Sequence, residues 1–169
     1  MNPKIVDLDR IILAGVSFYG DPFETSNVWT AENQIGRLWQ RLMTYLEKRQ
    51  PELGSLINNN VGFEVHIRGE ETEETGFYEV FVGMEIQEAG QTPIGLLVKV
   101  LPKSTYAVFT MRGEQITSDW EDEIGRWLKQ NEYRVAFPYM FQYYDARFKG
   151  MDRIEESEID FYIPIEKEA

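Results

Sequence analysis

The residues of this sequence that suggest chemistry are carboxylates placed among aromatic side chains near its carboxyl end. In SEIDFYIPI, residues 157–165, alternation places Glu158, Asp160 and Tyr162 on one side of a predicted strand. The other side is apolar and carries Ile159, Phe161 and Ile163. A carboxylate that rings shield from water favours a cationic partner, and each ring face adds about 0.5–2 kcal/mol of attraction. The pattern therefore indicates a site for a lipophilic cation, with a solvated strand face as the alternative.

The charge balance excludes several classes of function. Seventeen Lys and Arg against 29 Asp and Glu give a net charge of −12, which repels phosphate backbones and anionic membranes. We therefore expect no direct nucleic-acid binding and no membrane binding. The absence of cysteine excludes disulfides, thiolate catalysis and cysteine-based zinc sites. The only histidine, His66, is expected on a strand surface, and we expect neither a metal nor a cofactor.

The sequence contains no recognisable signal for export or membrane insertion. The first segment, MNPKIVDLDR, lacks an apolar signal core. No later run approaches the roughly 20 apolar residues of a membrane-spanning helix. We therefore expect a cytoplasmic protein.

The first half of the chain predicts one helix between strands. Residues 10–20 are rich in β-branched and aromatic residues and end in a glycine, which indicates a strand. A helix capped by Thr30 should follow and end near Arg49, ahead of Pro51. Its apolar stripe consists of Ile35, Leu38, Trp39, Leu42, Met43 and Leu46. Two strands joined by a solvated acidic loop are then predicted within 61–86.

The second half predicts a similar series of elements. Residues 93–113 contain a short extended piece, a turn and a strand. Ser118 and Glu121 have the spacing of a capping box, which predicts the start of a helix. The buried stripe of this helix consists of Trp120, Ile124, Trp127 and Leu128. Strands at 139–148 and 157–165 end the series.

The two predicted helices share a short sequence that suggests an internal duplication. Ile-Gly-Arg is followed by Trp and Leu, in either order, at residues 35–39 and 124–128. The order strand, glycine-ended turn, helix, strand, strand also recurs in both halves. We therefore predict a single domain, 1–169, built of two pseudo-repeats at about 10–90 and 93–166.

Two β-α-β-β units would form one antiparallel-rich sheet with both helices on one face, an α+β architecture. Gly36 and Gly125 would then let each helix approach the sheet or the other helix closely. The opposite face of the sheet would be open to solvent, to a partner or to a ligand.

A series of segments in order resembles the GyrI-like small-molecule-binding domains. The series consists of YEVFVGMEI (78–86), PIGLLVKVLPKSTYAVFTMRG (93–113), the Trp-bearing helix, FQYYDARF (141–148) and EIDFYIPI (158–165). This group includes the effector-binding domains of AraC-type and MerR-type regulators and integron cassette proteins. The resemblance implies a pseudo-twofold fold whose cleft between the halves binds lipophilic, often cationic, compounds.

The resemblance also implies which residues bind the ligand. The family's acidic position maps onto Asp160, and its arrangement places Tyr106 and Trp120 near a second carboxylate, Glu85. For Tyr106 and Trp120, packing in the core is the alternative. The expected site is completed by Tyr144, Glu158 and Tyr162. The family often has Glu where this chain has Gln142, so one charge is missing from the expected site.

Three functions fit the sequence. The first is a free-standing, non-enzymatic effector-binding protein that captures a lipophilic cation and acts in transcriptional regulation or drug sensing, as a homodimer or with a regulator partner. The second is a hydrolase in which Glu85 and Asp160 activate water. Two nearby carboxylates would favour the hydrolase, whereas a lone buried acid would favour binding. The third is an acidic module that inhibits a basic protein partner.

Overall fold

The computed structural model of the chain describes residues 2–24, 32–53 and 60–168. The described residues form one nine-stranded sheet with helices packed on it, which confirms the α+β class. The strands are β1 (Lys4–Leu8), β2 (Ile11–Gly20), β3 (Gly62–Ile67), β4 (Tyr78–Glu85), β5 (Leu97–Leu101), β6 (Ser104–Arg112), β7 (Tyr133–Val135), β8 (Tyr139–Tyr144) and β9 (Glu158–Lys167). The α-helices are α1 (Gln34–Leu53), α2 (Thr72–Thr75) and α3 (Glu121–Gln130).

The order of strands is symmetric about the centre of the sheet. It runs β1-β6-β9-β8-β3-β4-β2-β5, and β7 pairs with β9. Each strand on one side of the centre therefore has a counterpart on the other side: β8 corresponds to β3, β9 to β4 and β6 to β2. The outermost strands are exchanged between the halves: β1 precedes β2 in the chain but pairs with β6, and β5 precedes β6 but pairs with β2. Each half of the sheet is thus completed by a strand from the other half.

Both helices lie on the same face of the sheet, as expected. Across four neighbouring strands the register aligns Val82, Glu64, Gln142 and Phe161, whose side chains share one face. Val82 belongs to the core beneath α1, together with Ile35, Leu38, Leu42 and Leu46. Phe161 belongs to the core beneath α3, together with Ile124, Leu128, Ile159 and Ile163. The predicted stripes of both helices and the apolar side of β9 therefore do meet.

The opposite face of the sheet is not open, contrary to expectation. It holds a third core drawn from six strands, consisting of Ile11, Leu13, Phe63, Val65, Phe81, Leu101, Tyr106, Val108 and Phe141. Phe81 and Tyr106 are fully buried in it. A flat sheet face would leave these side chains in water, so their burial shows that the twisted sheet curls around them. Side chains that include several aromatic rings thus fill a face that was expected to be open to solvent, a partner or a ligand.

α1 differs from its prediction at both ends. Asn33 caps the helix, because its Oδ1 accepts the N–H of Gly36 at 2.8 Å. The predicted cap, Thr30, lies outside the described residues. The helix continues to Leu53 instead of ending near Arg49. A proline in the last turns cannot donate a backbone hydrogen bond, which costs stability. The buried side chain of Leu53 contributes hydrophobic free energy that offsets this cost.

The predicted capping box of α3 is wrong. The helix begins at Glu121, its N-cap is Trp120, and no side chain caps it. Ser118 instead donates its hydroxyl to the carbonyl oxygen of Gln115 at 2.9 Å, because it closes a 3₁₀ turn over Gly113–Thr117. The first helical turn contains three acidic residues, whose negative charges interact favourably with the positive amino-terminal end of the helix dipole. This interaction stabilises the start of the helix although no side chain caps it.

The remaining elements are short and were not predicted. β1 extends the edge of the sheet beside β6, and β7 adds three residues beside β9. The acidic loop contains α2, a single helical turn without buried residues. Among the helices formed by the described residues, none has both the length and the apolar character needed to span a lipid bilayer.

Gly125 does not serve the close approach that the sequence suggested, since a Cβ placed on it would meet no atom within 4 Å. We therefore expect Gly125→Ala to raise the free energy of unfolding by about 0.5–1 kcal/mol, because alanine restricts the unfolded chain and favours the helix. Urea unfolding would measure the change. Gly76→Ala is the matched control: its surroundings are equally empty, but its φ of 72° should make the same substitution destabilising.

Candidate functional site

A cavity of about 570 Å³ lies between the first half of α1 and the ends of the central strands β3 and β8. α1 and the residue before it contribute Asn33, Ile35, Gly36, Trp39, Gln40 and Met43 to its wall. The rest of the wall comes from Asn60, Val61, Gly62, Glu64, Met84, Tyr144, Asp145, Phe148 and Met151. Most of these side chains are apolar or aromatic. We call this space the Glu64 cavity, after the buried carboxylate in its wall.

Glu64 lies at the middle of β3 and is fully buried. Trp39 reaches it from α1, and the indole Nε1 donates to Oε2 at 2.7 Å. The imidazole Nε2 of His66 lies 2.8 Å from Oε1. Among the described residues, His66 is the only basic side chain within ion-pair distance of Glu64. Within the described ranges, Glu64 therefore has hydrogen-bond partners but no lysine or arginine to balance its charge.

Tyr144 connects Glu64 with Gln142, which lies opposite Glu64 on β8. Its hydroxyl is 2.7 Å from Oε1 of Gln142 and 3.3 Å from Oε2 of Glu64. Burial first, and the negative charge of Glu64 second, raise the pKa of Tyr144 well above its ordinary value, so the hydroxyl keeps its hydrogen. A hydroxyl has one hydrogen, and the shorter contact directs it to Gln142. The buried Nε2 of Gln142 has no partner among the described residues.

Aromatic rings form one side of the Glu64 cavity. The rings of Trp39 and Tyr144 meet edge to face at 5.3 Å, and Tyr144 and Phe148 do so at 5.0 Å. Gly62 makes room for this arrangement, because a Cβ at its position would lie 2.7 Å from Cη2 of Trp39. The sequence thus combines a small residue on β3 with a large ring on α1 to seat the indole over Glu64.

Asp145, the second carboxylate in the wall, is in a different electrostatic state. Its carboxylate receives two hydrogen bonds from Nε of Arg147 and one from Nη2, at 2.8–3.0 Å. Arg147 holds the pKa of Asp145 below its ordinary value. The charge of Asp145 is thus balanced within the protein, unlike that of Glu64.

The predicted carboxylates Asp160 and Glu158 lie together on β9, away from the Glu64 cavity. Asp160 accepts hydrogen bonds of 2.6 Å from both Thr110 and Arg147. Arg147 also lies 3.8 Å from Glu158, and Arg112 lies 3.2 Å from it. Because each predicted acid faces an arginine, neither presents an uncompensated charge to a ligand.

The predicted tyrosines are divided between two places. Tyr144 faces the Glu64 cavity, whereas Tyr106 and Tyr162 pack in the third core. The Tyr106 hydroxyl is bonded to that of Tyr139 at 2.7 Å. Tyr162 stacks on Phe141 with a centroid distance of 4.5 Å. Tyr106 therefore occupies the core position that the sequence offered as its alternative.

Glu85 and Trp120 lie in two further places. Glu85 is an exposed residue at the end of β4, on the face away from the helices. Trp120 packs edge to face on Phe161 at 4.7 Å. It also lines a smaller cavity of about 280 Å³ beside α3, which we call the α3 cavity. The wall of this cavity also includes His66, Arg68, Glu121, Ile124, Gly125, Leu128 and Tyr139.

The sequence interpretation missed Glu64 and misplaced His66. Both are polar residues at alternate positions of the central strand β3, and their side points towards the helices. His66 is buried beside Glu64 and not on a strand surface as predicted, because the helical layer covers this side of β3. A usable signal was present: two ionisable groups two residues apart in a strand predicted at the centre of the sheet.

Comparison with known proteins relates the chain to effector-binding proteins. It matches the family described as integron-associated effector binding protein over residues 4–165. It is 27% identical over 169 residues to the transcriptional regulator BrlR of Pseudomonas aeruginosa. The alignment covers 98% of this chain and 56% of BrlR. The chain thus spans about half the length of the curated relative it matches.

Solved structures share the fold. The structure of SAV2435 bound to tetraphenylphosphonium matches with a TM-score of 0.67 at 18% identity, over 98% of this chain and 94% of that chain. EcmrR in its complex with DNA matches with a TM-score of 0.66 at 12% identity, over 98% of this chain and 57% of that chain. At these identities the two matches establish the architecture.

Proposed function

The chain belongs to the family of integron-associated effector-binding proteins, and from this premise we propose that it captures a lipophilic organic cation in the Glu64 cavity. The cation would lie against the rings of Trp39, Tyr144 and Phe148, with Glu64 as its counter-charge. The proposal replaces Asp160 and Glu85 by Glu64 as the acid that recognises the ligand.

The observation that carries the proposal is a buried carboxylate with no lysine or arginine beside it in the parts of the chain that the structure describes. Removing an ionised carboxylate from water costs several kcal/mol unless a positive charge compensates it. Glu64 is fully buried, and the described part of the chain offers it His66 but no lysine or arginine. A cationic ligand would supply the missing charge. Asp145, the other carboxylate in the wall, is paired with Arg147. Glu64 is therefore not joined by a second carboxylate free to cooperate with it, which favours binding over hydrolysis.

The size and surface of the cavity favour a bulky aromatic ligand. Its volume of about 570 Å³ lies within the range of drug-sized ligand sites. The rings in its wall can attract a cation through their electron-rich faces. A delocalised cation loses less hydration on entry than a metal ion or an ammonium group does. The tetraphenylphosphonium ion bound to SAV2435, a protein of the same fold, is a cation of this class.

We also propose that the two halves of the chain, about 10–90 and 93–166, are copies of one ancestral unit. The symmetric strand order and the helix on each half support this origin. Because BrlR and the EcmrR chain are longer proteins, a regulatory role of this chain would involve a DNA-binding partner or segment. Ligand capture would then be the input to that regulation.

Tetraphenylphosphonium and tetraphenylborate test the proposal, because they have the same size and shape and opposite charge. We expect the phosphonium at 100 times its dissociation constant to add about 2.7 kcal/mol of stability, which raises the melting temperature by roughly 5–10 °C. The borate should leave the melting temperature unchanged. Differential scanning fluorimetry measures both.

The control addresses the net charge of −12, which attracts any cation weakly. Raising the salt to about 0.5 M screens surface attraction but affects a buried charge pair much less. A shift that disappears at this salt concentration, or an equal shift with the borate, would contradict the proposal.

A further inference from the structure

We propose that a bound cation and a proton on His66 compete for Glu64, so that ligand binding expels the proton. The inference rests on the proposed function and adds to it the residue that sets its pH dependence. Its geometric basis is the hydrogen bond of 2.8 Å between Nε2 of His66 and Oε1 of Glu64. Both side chains are buried, with 6% of His66 and 0% of Glu64 exposed.

The two oxygens of Glu64 have different kinds of partner. Oε2 accepts a hydrogen bond from Nε1 of Trp39 and lies 3.3 Å from the hydroxyl oxygen of Tyr144, and both of these groups are neutral. Oε1 contacts His66, whose imidazole can carry a positive charge. With a protonated His66, an arriving cation meets an ion pair of zero net charge. With a neutral His66, it meets an uncompensated carboxylate, to which it binds more tightly.

The other charged groups that face His66 largely cancel. Arg68 follows His66 on the same side of the chain and forms an ion pair with Glu121 of α3. Because the two charges of this pair are opposite and in contact, their effects on the charge state of the imidazole partly offset each other. Among the described residues, Glu64 is therefore the uncompensated charge beside His66.

The titratable groups on neighbouring elements are neutral. The ring of Tyr78 on β4 lies 5.5 Å from the imidazole, and burial raises its pKa. Tyr139 of β8 shares the wall of the α3 cavity, and burial raises its pKa as well. The other neighbours are apolar: Val80 and Met140 lie opposite His66 on the adjoining strands, and Ile124 and Leu128 face it from α3. These groups add no charge near neutral pH.

The hydrogen bond between Glu64 and His66 also connects two cavities. Glu64 is part of the wall of the Glu64 cavity, and His66 is part of the wall of the α3 cavity. A ligand can therefore reach the carboxylate from one side while the proton leaves the imidazole from the other. The cation can therefore enter through one cavity without passing the proton, which leaves through the other.

The sequence limits which side chain can be the source of a proton released on ligand binding. Imidazole is the side chain that ordinarily changes charge between about pH 5 and 8. The chain contains one histidine, so His66 is the only imidazole that can release a proton when a ligand binds. Tetraphenylphosphonium is a permanent cation and does not itself titrate.

Isothermal titration calorimetry of the native chain with tetraphenylphosphonium tests the inference. Titrations between pH 5.5 and 8.0, at each pH in two suitable buffers that differ in ionisation enthalpy, give the dissociation constant and the number of protons released to the buffer. We expect up to one proton per bound cation, and a dissociation constant that falls by up to about tenfold for each unit by which the pH is raised. His66→Gln keeps an N–H donor for Glu64 but has no titrating charge. We expect its affinity to be nearly independent of pH and higher than that of the native chain at pH 5.5.

The outcomes separate this inference from the proposed function. Absence of tetraphenylphosphonium binding at every pH would contradict the proposed function itself. Binding without proton release by the native chain would overturn only the role of His66. The same pH dependence in a folded His66→Gln variant would overturn it as well, by assigning the proton to Glu64. If the variant does not fold, the NMR signals of the chain's single imidazole, followed while tetraphenylphosphonium is added, show whether the released proton leaves His66; an unchanged imidazole would overturn the inference.

Discussion

Glu64→Gln should weaken the binding of tetraphenylphosphonium by about 30-fold or more, which corresponds to about 2 kcal/mol. Glutamine has nearly the shape of glutamate and can still accept the hydrogen bond from Trp39, so the cavity should keep its form. What the variant loses is the buried charge that balances the ligand. Calorimetry at pH 8.0, where competition from a proton on His66 is smallest, measures the effect.

The same substitution should not destabilise the unliganded chain. A buried carboxylate without a lysine or arginine partner is costly, so its removal should leave the free energy of unfolding unchanged or raise it. Glu85→Gln is the matched control, because it removes the same charge from an exposed position on the other face of the sheet. It should bind tetraphenylphosphonium as the native chain does. Equal affinities of the native chain and Glu64→Gln would exclude Glu64 as the recognising acid.

We expect Gly15→Ala to be the most damaging small substitution, with a loss of about 3 kcal/mol in the free energy of unfolding. Gly15 of β2 lies opposite Gly83 of β4. A Cβ at Gly15 would lie 1.9 Å from the carbonyl oxygen of Val82 and 2.6 Å from Cα of Gly83. Both are backbone atoms of the neighbouring strand, so the strands themselves would have to separate.

Urea unfolding of Gly15→Ala and of Gly90→Ala would test this expectation. Gly90 is exposed, and a Cβ there would meet no atom within 4 Å. The control should therefore differ from the native chain by less than about 0.5 kcal/mol. A Gly15→Ala variant as stable as the control would show that β2 and β4 are not held at the spacing described above.

Periodicity identified most of the elements because it is a local property of the chain. The stripe of α3 and the alternation of β9 are both present as predicted, since each depends only on residues a few positions apart. The cap of α3 failed because Ser118 had a competing use in the preceding 3₁₀ turn. The packed third core could not be predicted, since it results from the curl of a sheet that joins strands distant in sequence.

The proposed binding site was harder to predict because alternation does not say which side of a strand faces the helices. In β9 the apolar side does, and in β3 the side with Glu64 and His66 does. The family resemblance drew attention to position 142, where a charge seemed to be missing. Gln142 lies directly opposite Glu64, so the carboxylate that is missing at position 142 is supplied by Glu64 on the neighbouring strand β3. Only the pairing of β3 with β8 reveals this equivalence.

The exchange of β1 and β5 between the halves has a consequence for how the chain folds as it is synthesised. Lys4 of β1 pairs with Val108 of β6, so β1 must wait for about 100 further residues before it finds its partner. β2 likewise waits for β5, more than 80 residues later. Pairings of such long range slow folding, because much of the chain must be ordered before they form. The nascent first half therefore gains its outer strand only when β5 has been made, and the second half is incomplete until β6 meets β1, which was made before either half.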